Sequence, residues 1–180
     1  VSAITRSARG VLAVAVKDAT AGGAAEAAYK SLAEVPEDKF SPENYRLLKL
    51  AFLAAPTKVW VLRVGEDAEK TYQALERLRF DWLAAPGLED ARVMSFIKTL
   101  RNGGRGVKAV VANATAPDCE GIVNLCVSGL TLEDGAMEAK DYAVRVAALL
   151  AALPLTRSAT YVNLPEVVGC DALAEPDEDV

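Results

Sequence analysis

Apolar positions along the chain fall into two kinds of run. Three are short and unbroken: Val11–Val16 (V-L-A-V-A-V), residues 58–64 (K-V-W-V-L-R-V) and residues 107–113 (V-K-A-V-V-A-N). A strand with one wet face alternates apolar and polar residues, whereas a strand covered on both faces does not. These three therefore read as central strands of a sheet flanked by helices. Residues 80–85 (F-D-W-L-A-A) form a shorter candidate, stopped by Pro86, which has no N–H to give to a ladder.

The second kind of run has helical spacing. Ser41-Pro42-Glu43 starts the clearest helix, with Ser as N-cap, Pro in the first turn and an acid beside it. It is expected to reach about Ala55 and to be largely buried, because Tyr45, Leu47, Leu48, Leu50, Phe52 and Leu53 cover most of its circumference. Residues 67–79 place Tyr72, Leu75 and Leu78 on one stripe. Residues 88–101 repeat Val93, Phe96, Ile97 and Leu100 at helical spacing and end at Asn102-Gly103-Gly104, a left-handed stop. A last helix over about 138–153 is expected to turn Tyr142, Val146, Leu149, Leu150 and Leu153 inward. Its alanines (Ala147, Ala148, Ala151, Ala152) are left for close packing on a second face.

Two stretches are ambiguous. Residues 24–35 have helical spacing at Ala25, Ala28, Tyr29 and Leu32, yet 29–32 also fit extended chain. Residues 122–132 (I-V-N-L-C-V-S-G-L-T-L) are interrupted by Gly129 and followed by the turn Glu133-Asp134-Gly135, which suggests bent or antiparallel strands. The alternation predicts an α/β fold, a layered sandwich with a mixed, largely parallel central sheet flanked by helices. One domain over 1–170 is expected. Residues 171–180, with the acidic run Glu175-Pro176-Asp177-Glu178-Asp179, are expected to be a flexible tail.

Composition narrows the chemistry. The 180 residues carry 25 acids, 20 bases and no histidine, for a formal charge of -5. Without histidine there is no imidazole base and no Ser-His-Asp or Cys-His site. The three cysteines (Cys119, Cys126, Cys170) lack C-x-x-C spacing, so neither structural zinc nor a disulfide framework is expected. No basic block is long enough to follow a phosphate backbone, and no apolar run approaches the roughly 20 residues that cross a bilayer. Neither nucleic-acid binding nor membrane insertion is expected, and no cofactor. The chain begins at Val1 and not at Met, so a fragment of a longer protein is expected.

Two features invite a chemical reading. Asn102-Gly103-Gly104-Arg105-Gly106 is glycine-rich, but it follows a helix and precedes a strand, the reverse of a phosphate-cradling loop. Residues 113–120 (N-A-T-A-P-D-C-E) lie just past a central strand, where open α/β sheets place ligands. Asn113, Asp118, Cys119 and Glu120 are the candidates there for the alternative function, a small nucleotide-binding or hydrolase-like domain. The thiol lacks a histidine base, which favours a structural loop. A short echo, T-R-S-A at 5–8 and 156–159, leaves two readings: Arg6 and Arg157 sit in loops flanking strands, the favoured one, or, together with Arg9, they are inter-subunit contacts through carboxylates.

Several stretches resemble one family. They are residues 2–10 (S-A-I-T-R-S-A-R-G), 40–53 (F-S-P-E-N-Y-R-L-L-K-L-A-F-L), 58–64, 80–86 (F-D-W-L-A-A-P) and 150–161 (L-A-A-L-P-L-T-R-S-A-T-Y), the last following V-K-A-V-V-A-N-A and G-I-V-N. In this order they resemble the tail sheath proteins of contractile phages and of phage-like elements of Gram-positive bacteria, over nearly the whole chain. The resemblance implies a subtilisin-like core domain without catalytic residues, in a structural subunit and not an enzyme. It further implies six-subunit rings stacked helically around a tail tube protein, bounded by baseplate and tail terminator. Contraction would then drive the tube through a cell envelope, and the subunit would sit in the virion sheath after assembly in the bacterial cytoplasm. In that family extended arms add strands to a neighbour's sheet, and a C-terminal domain faces the tube. Against that pattern this sequence is expected to have no room for the C-terminal domain and little for either arm, and so by itself to be mostly monomeric.

Overall fold

At the centre of the computed structural model, which describes residues 10–113, 115, 117–154, 159 and 162–173, lies β1 (Val11–Val16). Its residues from Leu12 onward are buried because both faces are covered. Ala13 and Ala15 enter one hydrophobic layer, and Leu12, Val14 and Val16 the other. On one side β1 pairs in parallel with β3 (Lys58–Arg63), Val11 opposite Lys58 and Val16 opposite Arg63. On its other side lies β4 (Trp82–Ala84), then β5 (Lys108–Val111) and β6 (Ile122–Asn124), all parallel. An antiparallel strand, β2 (Glu26–Tyr29), closes the far side of β3, so the order is β2-β3-β1-β4-β5-β6.

The helices cover the two faces. α1 (Pro42–Leu53) starts where Ser41 Oγ accepts from Asn44 N at 3.2 Å, and α2 (Ala68–Arg77) where the Asp67 carboxylate accepts from Glu69 N at 3.0 Å. α3 (Asp90–Asn102) ends at Gly104, which is left-handed (φ +86°), while Gly103 is not. α2 and α3 bury Tyr72, Leu75, Val93, Phe96 and Ile97 against Leu62 and Leu83. On the opposite face α1 and α4 (Ala139–Ala152) bury Leu47, Leu48, Val144, Ala147 and Ala148 against Leu12, Val14 and Val61.

Smaller strands follow β6. β7 (Val127–Ser128) pairs with β11 (Ala172–Leu173), while β8 (Thr131–Leu132) lies between β9 (Gly135–Ala136) and β10 (Val167–Gly169). A third apolar cluster of Leu50, Leu130, Leu132 and Tyr142 joins this region to the main layers.

The layered, largely parallel α/β class expected from the sequence is what is found, with corrections of detail. The mixed character of the main sheet comes from β2, inside the ambiguous 24–35 stretch, and β6 is parallel, while the antiparallel pairing expected over 122–132 is found where β8 meets β9 across the Glu133-Asp134 turn. Leu53 ends α1 facing solvent, 61% exposed. α4 shares its inner face differently from the expectation: Tyr142 is buried as expected and Val146 and Leu150 are half-buried at the edge of the layer, but Ala143, Ala147, Ala148 and Ala151 form the buried centre, while Leu149 and Leu153 are half-buried. Methyl side chains allow this helix to lie close over β1, β4 and β5, a separation that leucines would widen.

Candidate functional site

In an open α/β sheet, ligands bind beyond the carboxyl ends of the strands where the chain switches direction. Here the chain leaves β1 for β3 on one side and later reaches β4 on the other, so the switch point lies between β1 and β4. The crevice there is lined by Val16, Lys17, Asn44, Pro86, Gly87 and Asp141 and encloses about 140 Å³. Gly87 is required by close approach: its N–H donates to Ala15 O at 2.9 Å, and a Cβ would stand 2.7 Å from Lys17 N and 2.8 Å from the Val16 carbonyl carbon.

Beside this crevice the Asp18 side chain is fully buried. It accepts from Thr20 N and Ser41 N at 2.9 Å each, from Asn44 Nδ2 at 2.7 Å and from Arg63 Nη1 at 3.3 Å. Burial alone would raise its pKa, but the hydrogen bonds from Asn44, Ser41 and Thr20 outweigh it and hold the carboxyl well below the usual range. Asn44 also donates to Lys17 O at 2.7 Å, and Arg63 donates to Thr20 O at 3.1 Å and to Lys39 O while stacking over Phe40 at 4.6 Å. The one fully buried carboxylate at the switch point is thus saturated by groups that order the loops after β1 and before α1. It has no free lone pair aimed at a reactant.

Asp141, at the start of α4, is raised by burial and by the neighbouring Glu138. On its other side a wider groove of about 670 Å³ runs between α1 and the small strands. There Arg46 grips the β8–β9 turn, with Nε 2.8 Å from Asp134 Oδ2, Nη2 2.5 Å from Asp134 Oδ1, and further donation to Gly135 O and Ala136 O. This bond holds the Asp134 carboxyl below its ordinary value.

The loop after Asn113 is tied down by its own hydrogen bonds. Asn113 and Asn124 exchange two hydrogen bonds, Asn113 N to Asn124 Oδ1 at 2.9 Å and Asn124 Nδ2 to Asn113 O at 2.6 Å, so both side and main chains tie this loop to β6. Asn113 Oδ1 is further occupied by Thr115. Asn113, Asp118 and Cys119 do meet at one open depression of about 380 Å³, with Ser95 and Lys98 of α3. Glu120 pairs with Arg101 and shares a second depression of about 240 Å³ with Asp118, Cys119 and Lys98. Cys119 packs partly on the hydrophobic layer beneath, its Sγ 3.9 Å from Glu120 O. Bases balance acids along this rim, so no acid-rich cleft forms around Asp118 among the described residues.

The proposed contact residues Arg6, Arg9 and Arg157 lie outside the described residues. What is described is their junction: Gly10 N donates to Ala151 O at 2.6 Å, and Val11 N to Asp81 Oδ2 at 2.7 Å. The chain on the two sides of the core is thereby tied at one corner. Sequence reasoning missed Asp18, Asn44 and Arg63. It also missed Arg145 of α4, buried against Glu166 with Nε 2.5 Å from Oε1, whose only signal was a basic residue inside the run V-R-V-A-A. The outer edges of β2 and β6 carry no neighbouring strand among the described residues, and Val123 on β6 is 38% exposed.

Fold and site together define an α/β domain with a small switch-point crevice, beside which the buried Asp18 carboxylate is committed to structural contacts, and with outer strands that carry no further neighbour among the described residues. No family model matches the chain. It is 32% identical over 183 aligned residues to the tail sheath protein of Clostridium phage phiCD119, covering 92% of this chain and 49% of that protein. It is 37% identical over 122 residues to the phage-like element PBSX protein XkdK of Bacillus subtilis, covering 64% of this chain and 25% of that one. Among solved structures, the sheath tail proteins of Desulfitobacterium hafniense and Listeria innocua share the fold. Each has a TM-score of 0.74, at 15% and 16% identity, over 91% of this chain and 63% and 61% of theirs. The chain matches the phage tail sheath family, as the resemblance implied. It spans about half the length of the first of its curated relatives and a quarter of the second.

Proposed function

We propose that the chain is the core domain of a contractile-tail sheath subunit, a structural element and not an enzyme. The observation that carries this reading is the 32% identity to a tail sheath protein across 92% of the chain. Two features of the molecule support it. Asp18 is committed to loop ordering beside the crevice where an α/β enzyme would hold a reactant, and among the described residues the outer edges of β2 and β6 are unpaired and suited to strand addition from neighbours.

In this reading copies stack as helically related rings around a tail tube, in the virion tail. Head-to-tail contacts that do not close generate such a helix. The two-layered core moves as a rigid body while contacts between subunits exchange on contraction, which drives the tube through the host envelope. Immunogold labelling of contractile particles from the source, with antibody raised against this chain, tests it. Gold spaced along the outer tail is expected; contractile particles that never take label would overturn the assignment.

A further inference from the structure

We propose that residues 162–173 form a strap that opens from the α/β core as one unit, with Glu166 as its latch. The strap touches the rest of the described molecule in few places. β10 meets β8 with a register shift between Val167 and Gly169, and β11 meets β7 over two residues. Neither strand joins the six-stranded sheet. Among the strap's described side chains, Leu164 and Val167 pack against the third apolar cluster, and Val168 is 61% exposed. Stability of such a segment falls at the low end of what a domain holds, because little apolar area is lost when it lifts.

What fixes it is a charge. Glu166 Oε1 accepts from Arg145 Nε at 2.5 Å and from Tyr142 OH at 2.8 Å, both on α4, while Glu166 O accepts from Glu133 N at 3.2 Å. The side chains are nearly buried, 7% exposed for Arg145 and 12% for Glu166. Yet the pair is only half made. Arg145 Nη1 and Glu166 Oε2 are buried without a hydrogen-bond partner. A buried ion pair offsets its desolvation only when its remaining protons and lone pairs are satisfied, so each orphan atom gains water when the strap lifts. The latch is therefore specific in direction but weak in depth, the combination expected of a part that must come away without unfolding the layers beneath. The inference stands apart from the sheath assignment, since it concerns this chain alone.

Native-state hydrogen exchange on the purified 180-residue chain tests it with two variants. In the parent chain the amides of Glu133 and Asp171, which donate across the junction to Glu166 O and Ser128 O, are expected to exchange at least about 100-fold faster than those of Leu12 to Val16. Glu166→Gln removes the charge and leaves Arg145 buried alone, and is expected to speed strap exchange about 10-fold further with β1 unchanged. Replacing both partners, Arg145→Leu with Glu166→Leu, removes the orphan atoms and is expected to slow strap exchange below the parent. Strap and β1 amides exchanging at one common rate would overturn the separate unit. A double variant that loosens the strap as much as Glu166→Gln would overturn the half-made pair as the reason for its weakness.

Discussion

Ala148→Leu on α4 is the sharpest test of how the core is packed. Ala148 has no exposed surface and lies in the layer formed by Leu12, Val14, Leu48, Val61 and Val110. Leucine adds three carbons where the methyl already fills the space between helix and sheet. Overpacking of a well-filled core costs about 1–3 kcal/mol. Helix propensity is nearly equal for the two residues, so it offsets almost none of this. For a chain of this size about 1 kcal/mol corresponds to roughly 2–4 °C, so Tm should fall by about 2–12 °C. The paired control is Leu149→Ala, which trims a half-exposed side chain and should cost about 1 kcal/mol or less. Circular dichroism with urea and thermal melts of both variants reads the difference directly. If Ala148→Leu melts with or above the parent while Leu149→Ala loses several kcal/mol, the leucine face is the inner one and the packing described here is wrong.

Other outcomes follow from the switch point and the Arg46 grip. Asp18→Asn leaves Arg63 buried without its counter-charge and should cost about 3 kcal/mol at neutral pH, read by urea titration. Because the folded-state pKa of Asp18 lies below its ordinary value of 3.8, its contribution is full above about pH 4 and is lost as pH falls from there. The Asp18→Asn variant should accordingly lose less stability than the parent over that acid window; equal slopes would refute this role. Gly87→Ala forces a Cβ onto the backbone of Val16 and Lys17 and should cost about 1–3 kcal/mol, whereas a neutral result would mean that the β1–β4 crevice yields freely. Asp134→Asn breaks a largely exposed pair with Arg46 and should cost under about 1 kcal/mol, shrinking further in high salt; a salt-independent loss of several kcal/mol would contradict it.

Much of the architecture is legible in the sequence where one physical signal dominates. β1, β3 and β5 announce themselves because burial on both faces removes every polar residue from their middles, and Pro86 marks the end of β4. Ser41-Pro42-Glu43 fixes the start of α1 through capping alone. The failures share a cause, which is alanine. Its methyl group suits helix, strand, core and surface, so the alanine-rich 24–35 stretch becomes an edge strand only because β3 offers it a partner. For the same reason α4 shows its inner face only once the sheet beneath it is known. The charged hubs were hidden differently. Asp18 and Arg63 are 45 positions apart, and an acid just after a strand looks solvated until the fold folds a loop over it. The candidates at Asn113, Asp118 and Cys119 do come together, but as a loop laced to β6, where the described hydrogen bond of the thiol runs to the Glu120 carbonyl.

The placing of β1 has a mechanical consequence. It is flanked by parallel neighbours on both sides, six residues in register with β3 and three with β4, and its first residues are clipped to the end of α4 and to Asp81. A tug on the backbone at Gly10 runs along the strand, so the rungs to both neighbours are loaded in shear and must fail together instead of unzipping one at a time. Tension arriving at that corner meets the stiffest direction the domain possesses.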